Sequence, residues 1–421
     1  NIKSKMIKKI IVSTCLLFSF VTFAQEGTAS PYSFFGIGDV RFKGTTEMRS
    51  MGGIGVEQDS IHLNLDNPAS FANLKLTTFA ISGSFNATTL KTSSESAKTQ
   101  RIALDYLAVG LPMGKLGVGF GLIPYSSVGY KVESIATDAT QNSRRFDGSG
   151  GLNKAFIGAG YKISPSLSLG ADMHYNFGKI ETSSLEFMST VPVGTRELNN
   201  IVLSGFNFNI GAMYQRKIGS KNNLYTSLNY AIESKLKSNN TTNIATVLID
   251  AGFNTSVVDA ADDVLTTANL KLPSKLTFGA GIGESKKWLL GTQLSTRNAA
   301  AIGNSYNSYS NVSYGKYQKI SFGGYFIPNY NSFTSYAKRL VYRAGLKFEK
   351  TGLVINSQSI NDMGATLGIG LPVSGTFSNL NLGFEIGKKG TTASKLIQEN
   401  YAILSLSLSL NDRWFQKRKF E

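Results

Sequence analysis

Two histidines, His62 and His174, are the only side chains in this 421-residue sequence that ordinarily change charge near neutral pH. His174 follows Asp172 by two residues, which on a strand puts both on one face. That spacing suits a metal pair only if further ligands converge, and none stands at ligand spacing. His62 lies in the segment before the first alternating run and is likewise expected to be an ordinary polar residue. The one cysteine, Cys15, sits in an apolar N-terminal stretch, so no thiol nucleophile or disulfide is expected after it. No G-x-S-x-G frames a nucleophilic serine. The strings GVGFG (117–121) and GAGIG (279–283) lack the Lys-Ser/Thr of a phosphate loop. The sequence therefore offers no catalytic residue, no metal site and no cofactor site. Asp172 and His174 are expected to be ordinary polar residues on the inner face of a barrel wall.

The elements that would carry these residues are strands. In SLSLGADMHYNFG (166–178), Leu167, Leu169, Ala171, Met173, Tyr175 and Phe177 share one face, opposite Ser168, Gly170, Asp172, His174 and Asn176. GFNFNIGAMY (205–214), NLNLGFEIG (379–387) and LSLSLSL (404–410) alternate in the same way. Fourteen such runs are expected, at about 77–90, 101–112, 115–132, 149–163, 166–182, 202–217, 222–236, 274–284, 287–297, 317–328, 339–349, 362–373, 378–388 and 400–410. Links after even-numbered runs are short, and links after odd-numbered runs are long. The exception is 327–338, which is long where a short turn is expected. Alternating short and long links are the pattern of outer-membrane barrels, short toward the periplasm and long outside. The longest link, 237–273, contains VVDAADDVLTTANL (257–270), read as either a short amphipathic helix or plain loop.

Composition agrees. The chain has 43 glycines, 18 tyrosines and 26 phenylalanines, with only 17% charged residues. Residues 1–24 carry lysines at 3, 5, 8 and 9 before an apolar run ending near Phe23, the form of a secretory signal cleaved before Gln25. Thr14 before Cys15 and the apolar run after it argue against a lipid anchor there. Removing the four lysines lowers the net charge from +16 to +12. No later stretch reaches eighteen consecutive apolar residues, so helical spans are not expected. An exported basic chain meets lipid and lipopolysaccharide phosphates rather than nucleic acid. Aromatics near run ends, among them Tyr125, Tyr130, Trp288, Tyr325, Phe326, Trp414 and Phe415, fit interfacial girdles.

The expected fold is thus all-β: a transmembrane antiparallel barrel of about fourteen strands over 77–410, in the outer membrane of a Gram-negative bacterium. Residues 25–76 precede it. They hold a glycine cluster, with Gly52, Gly53 and Gly55, and then LDNPASFANL (65–74) with Asn67, Pro68, Ala69 and Phe71. A barrel of ~14 strands is wide enough for a channel, so a non-strand segment before it can fold inward as a hatch.

The stretch SMGGIGVEQDSIHLNLDNPASF resembles the hatch of FadL-type outer-membrane transporters of hydrophobic compounds, with Gly52, Gly53, Glu57, Asp59, Asn67, Pro68 and Ala69 in matching places. LPSKLTFGAGIG (272–283) resembles a mid-barrel strand opening of that family. The resemblance implies a fourteen-stranded barrel, an N-terminal hatch and uptake of a small hydrophobic molecule. The family's barrels end on an aromatic residue of the last strand. This chain continues through 411–421, placing Trp414, Phe415, Lys417, Arg418 and Lys419 in a basic, aromatic periplasmic tail. Some FadL-like barrels resemble accessory subunits of large outer-membrane machines for type IX secretion or barrel assembly. A non-conducting scaffold with protein partners in the membrane is therefore the second reading.

Overall fold

The computed structural model describes residues 29–138, 140–250, 252–298 and 311–413. The leader with Cys15, and the tail residues Trp414, Phe415, Lys417, Arg418 and Lys419, lie outside these.

Fourteen antiparallel strands form the wall: β1 (Thr77–Lys91), β2 (Ser96–Met113), β3 (Leu116–Ser134), β4 (Ser143–Lys162), β5 (Leu167–Phe187), β6 (Val193–Ile218), β7 (Asn222–Ala231), β8 (Lys275–Glu284), β9 (Trp288–Arg297), β10 (Tyr317–Phe326), β11 (Val341–Ile355), β12 (Gln358–Pro372), β13 (Asn379–Lys389) and β14 (Gln398–Asp412). Each pairs with the next, and β14 returns to β1 from Gln398↔Lys91 to Asp412↔Thr77. Closure leaves no sheet edge in the hydrocarbon, where an unpaired backbone group would cost several kcal/mol. Each of the fourteen alternating runs falls on one strand. No helix among the described residues is long and apolar enough to cross a membrane.

Burial is inverted relative to a water-soluble barrel. On β14, Ser405, Ser407 and Ser409 are buried, while Leu404, Leu406 and Leu410 are exposed. On β6, Asn207 and Asn209 are buried between exposed Phe206, Phe208 and Ile210. A continuous apolar outer face of this kind is stable only against lipid.

Three stretches depart from expectation. Residues 257–270 are not helical. They contribute strands Thr255–Ala260 and Val264–Leu272, both pairing with Ser234–Ile249, which in turn pairs with the outer half of β6. β6 outlasts β7, so its outer half (193–204) offers a ready template, and Val257, Val258, Val264, Thr266 and Thr267 are β-branched. The link expected over 350–361 shrinks to a two-residue turn at Asn356 and Ser357, both at positive φ, because β11 and β12 keep pairing beyond their apolar portions. The long link 327–338 folds back on itself through Asn329 N–H to Lys338 O (2.8 Å) and leaves Phe333 fully exposed.

Among the described residues the wall shifts register at Ser82/Gly83 on β1 and at Lys350/Val354 on β11, and it is more strongly irregular between β2 and β3. The β2–β3 ladder runs only from Leu107↔Leu122 to Met113↔Leu116. Beyond it, β3 carries a bulge between Pro124 and Ser126, and Ser126 and Ser127 pair with Val40 and Asp39 instead. Proline supplies no N–H to a ladder, which places the bulge there. The bulge also turns Tyr130 inward, 8% exposed against Phe34; Tyr125 shares the inner face of Ile123 and lines the lumen, and Tyr325 on β10 packs against the N-terminal segment, so none of the three belongs to an outer girdle.

Candidate functional site

The lumen and residues 29–76 form one unit. The segment contains three short helical turns, Pro31–Phe34, Thr46–Arg49 and Pro68–Asn73. Asn67 caps the last: its side-chain oxygen accepts from Ala69 N–H at 3.1 Å, and Pro68 follows at the first helical position. The other end of that amide donates to Ala212 O (3.2 Å) on β6 and Leu228 O (3.0 Å) on β7. A single side chain thus ends the segment's loop and ties it to two strands.

Small residues in the wall make room. A Cβ on Gly211 would stand 2.0 Å from Asn67 Oδ1, and one on Gly345 would stand 2.2 Å from the Met51 carbonyl carbon. Phe71 is buried among Leu63, Leu65, Leu74, Tyr106, Ile123 and Phe156. The turn after Thr46–Arg49 uses Gly52 (φ +71°) and Gly53 (φ +98°), whose N–H groups return to Arg49 O and Met48 O. Gly52 N–H also donates to Thr366 Oγ1 (3.0 Å) on β12, and Gly55 N–H to Gln293 Oε1 (3.0 Å) on β9. The segment is therefore held by its backbone as well as by packing.

Charged contacts add to this seating. Arg49 lies 3.5 Å from Asp105 on β2 and donates to Ser405 on β14. Asn381 of β13 donates to Glu47 Oε1 at 2.6 Å, and Lys389 meets Asp39 at 2.5 Å. Ser30 donates to Glu399 of β14. At the wall irregularity, Arg41 bridges both sides: its N–H donates to Tyr125 O (2.9 Å) on β3 and its guanidinium to Leu104 O (3.0 Å) on β2. Ser126 Oγ donates to Ile37 O at 2.7 Å.

Glu57, Asp59 and His62 make a small ionisable cluster within the segment. Tyr325 O–H donates to Glu57 Oε1 (3.0 Å), and His62 Nδ1 meets Asp59 Oδ2 at 2.6 Å. Burial, and next the charge of Asp59, push the Glu57 carboxyl up to about 7. His62 and the N–H groups of Ile61 and His62 hold Asp59 down to about 2 against its burial, and Asp59 raises His62 in return.

Asp172 and His174 stand on the lumen face of β5, 5% and 1% exposed. His174 Nε2 is 3.1 Å from Asp172 Oδ1, and Asn209 donates to the same oxygen at 2.7 Å. Among the described residues no group of three metal-ligating side chains forms. What remains open is a cavity of about 390 Å³. Its lining is mixed in charge, with Lys43, Lys154, Lys319 and Lys347 facing Asp66, Glu349, Asp362 and Glu385. Apolar side chains, among them Phe35, Ile37, Phe42 and Leu272, share the lining with these charges. The β2–β3 irregularity and the lysines of this lining were not anticipated. Pro124 inside the third alternating run was the only sequence signal for the former.

A family model described as BamG matches residues 6–421. Comparison with curated proteins finds no match. Among solved structures, the Pseudomonas aeruginosa FadL homologue is similar at TM-score 0.61 and 12% identity, over 89% of this chain and 99% of that one. The Ralstonia pickettii toluene transporter TbuX is similar at 0.59 and 11%, over 88% and 99%. The Pseudomonas putida toluene transporter TodX is similar at 0.59 and 15%, over 89% and 98%. At such identities the likeness is one of fold.

Proposed function

Since the chain belongs to the BamG family and has the FadL-type barrel fold, we propose that it is a non-conducting accessory subunit of a large machine in the Gram-negative outer membrane. The family match favours a barrel-assembly complex over a type IX secretion complex. The observation that carries this reading is the seating of residues 29–76, hydrogen-bonded to strands around the lumen and leaving, among the described residues, a cavity of about 390 Å³ lined by charged and apolar side chains. In this reading the segment is a permanent plug. The exposed outer face meets lipid and lipopolysaccharide, and protein partners dock on the barrel exterior or the long connections.

Uptake of small hydrophobic compounds past a movable plug is the second reading. Two observations favour it: the fold shared with toluene transporters, and the short β2–β3 ladder. Cargo would then leave sideways between β2 and β3 once residues 37–41 withdrew.

Deleting residues 26–72 and following uptake of labelled fatty acid and of a small polar tracer separates the readings. The plug reading expects the polar tracer to enter only after deletion, and fatty acid entry by the intact protein to be no faster than in cells lacking it. Barrel-dependent fatty acid uptake by the intact protein supports the second reading. No change in either tracer on deletion removes the plug assignment.

A further inference from the structure

Lys275 and Arg297 are direct cross-strand partners at the ends of β8 and β9 that adjoin long connections. Like charges placed opposite one another in a ladder destabilise it. Both line the lumen cavity, as do Lys154 of β4 and Lys43 of the N-terminal segment. Lys154 is 6% exposed, and its ammonium lies 3.5 Å from the centre of the Tyr125 ring. The charges of Lys43 and Lys275 both bear on it. Among the described residues none of these four cations has an ion-pair partner. Of the other cations of this lining, Lys347 meets Asp362 (3.2 Å) and Glu385 (2.5 Å), Lys389 meets Asp39 and Arg49 meets Asp105, whereas Lys319 lies over the Phe42 ring at 5.0 Å.

Lys319 and Glu349 of the same lining act on each other and cancel, which leaves two carboxylates near the four cations. Asp172 is committed to His174 and Asn209, and Asp66 lines the same cavity without an ion pair. The site keeps a surplus of two positive charges, and burying an ammonium without a counter-charge is costly. Repulsion tolerated between Lys275 and Arg297, next to a buried and unpaired Lys154, marks a place completed by an anion. We propose that this cavity is a phosphate-binding site. A phosphate brings roughly two negative charges, matching the surplus, and several acceptor oxygens for three ammoniums. Arg297, over the Tyr317 ring at 4.8 Å, adds a planar fork suited to two of those oxygens. A monocarboxylate would leave part of the charge unanswered. The proposal goes beyond the function above, because a sealed and a conducting barrel hold the site equally well.

The test is calorimetric titration of the full-length barrel, purified in detergent at low salt. The probes are inorganic phosphate and dihexanoyl phosphatidic acid, with acetate for comparison. The expected result is one saturable phosphate site, with acetate at least about tenfold weaker. Lys154→Met and Arg297→Gln should each weaken phosphate by about tenfold or more. Lys154→Arg, which keeps the charge, should hold affinity within about threefold, and Lys98→Gln on an exposed part of β2 should change nothing. Heat-modifiable mobility on gels reports folding of each variant. Whichever of the two phosphates binds tighter identifies the source, and either supports the site. Absence of phosphate binding by the folded protein, equal binding of acetate, or affinity unchanged in Lys154→Met and Arg297→Gln overturns it.

Discussion

The side chain of Asn67 occupies the space that any side chain on Gly211 would need: a Cβ there would lie 2.0 Å from Asn67 Oδ1 and 2.9 Å from its Cγ. The same amide caps the helical turn Pro68–Asn73 and donates to carbonyls on β6 and β7. One glycine in the wall and one asparagine in the segment therefore set how close the two can come.

Asn67→Ala removes a helix cap and two hydrogen bonds to the wall. The docked segment should lose about 2–4 kcal/mol while the barrel itself stays folded. Hydrogen exchange across 60–76 should speed up, with exchange in β6 and β7 unchanged. Equal protection in variant and parent would show that Asn67 does not hold the segment.

Gly211→Ala attacks the same contact from the wall. Overpacking there should cost about 1–3 kcal/mol, felt mainly as displacement of residues 65–72. Protease sensitivity of the segment is the readout. An alanine at the outward-facing Ile210, 51% exposed, serves as the comparison and should leave sensitivity as it was.

The seating of residues 57–62 should depend on pH. Glu57 has its carboxyl raised to about 7 in place, so its protonated form favours docking, and that contribution fades as pH rises from about 4.5 to 7. The raised His62 acts in the same direction, losing its contribution above its ordinary value of 6.5. Asp59, held down to about 2, loses its contribution only on acidification below 3.8. Exchange of these amides, corrected for intrinsic rates, should therefore increase between pH 5 and 8. Glu57→Gln should flatten most of that slope, a change on the order of 1–2 kcal/mol at pH 8. A slope identical in the variant would assign it to other groups.

Val40 and Ser126 are directly opposed where the N-terminal segment meets β3. Cysteines at both positions should form a disulfide under mild oxidation, because opposed residues of an antiparallel pair lie within disulfide reach. In the accessory reading the locked protein works as the parent does. In the uptake reading the lock blocks sideways exit, and uptake falls until the bond is reduced.

The wall was legible in the sequence because lipid outside and polar lumen inside impose a period of two on every spanning strand. Each alternating run corresponds to a strand for that reason. Beyond the membrane both faces of a strand are wet, and the pattern falls silent. That is why β11 and β12 outrun their predicted ends at 349 and 362, and why 257–270 read as helix or loop. Tyr130 was placed on the wrong face because the bulge after Pro124 resets the alternation of β3, and periodicity alone does not register a bulge; Tyr125 and Tyr325 follow their strands' alternation inward, where the N-terminal segment receives them. Lys43, Lys154, Lys275 and Arg297 come from parts of the chain 22 or more residues apart. Only closure of the barrel brings them to one cavity, so no local motif announces them.

The central claim, that this barrel is an accessory subunit and not a solitary channel, is tested most directly by purifying it from native membranes in mild detergent through an affinity tag in an outer connection. The account predicts that it migrates as part of a large complex with other outer-membrane proteins in fixed ratio, and that the association survives dilution. A barrel that always migrates alone, across mild detergents that preserve other outer-membrane complexes, would contradict it.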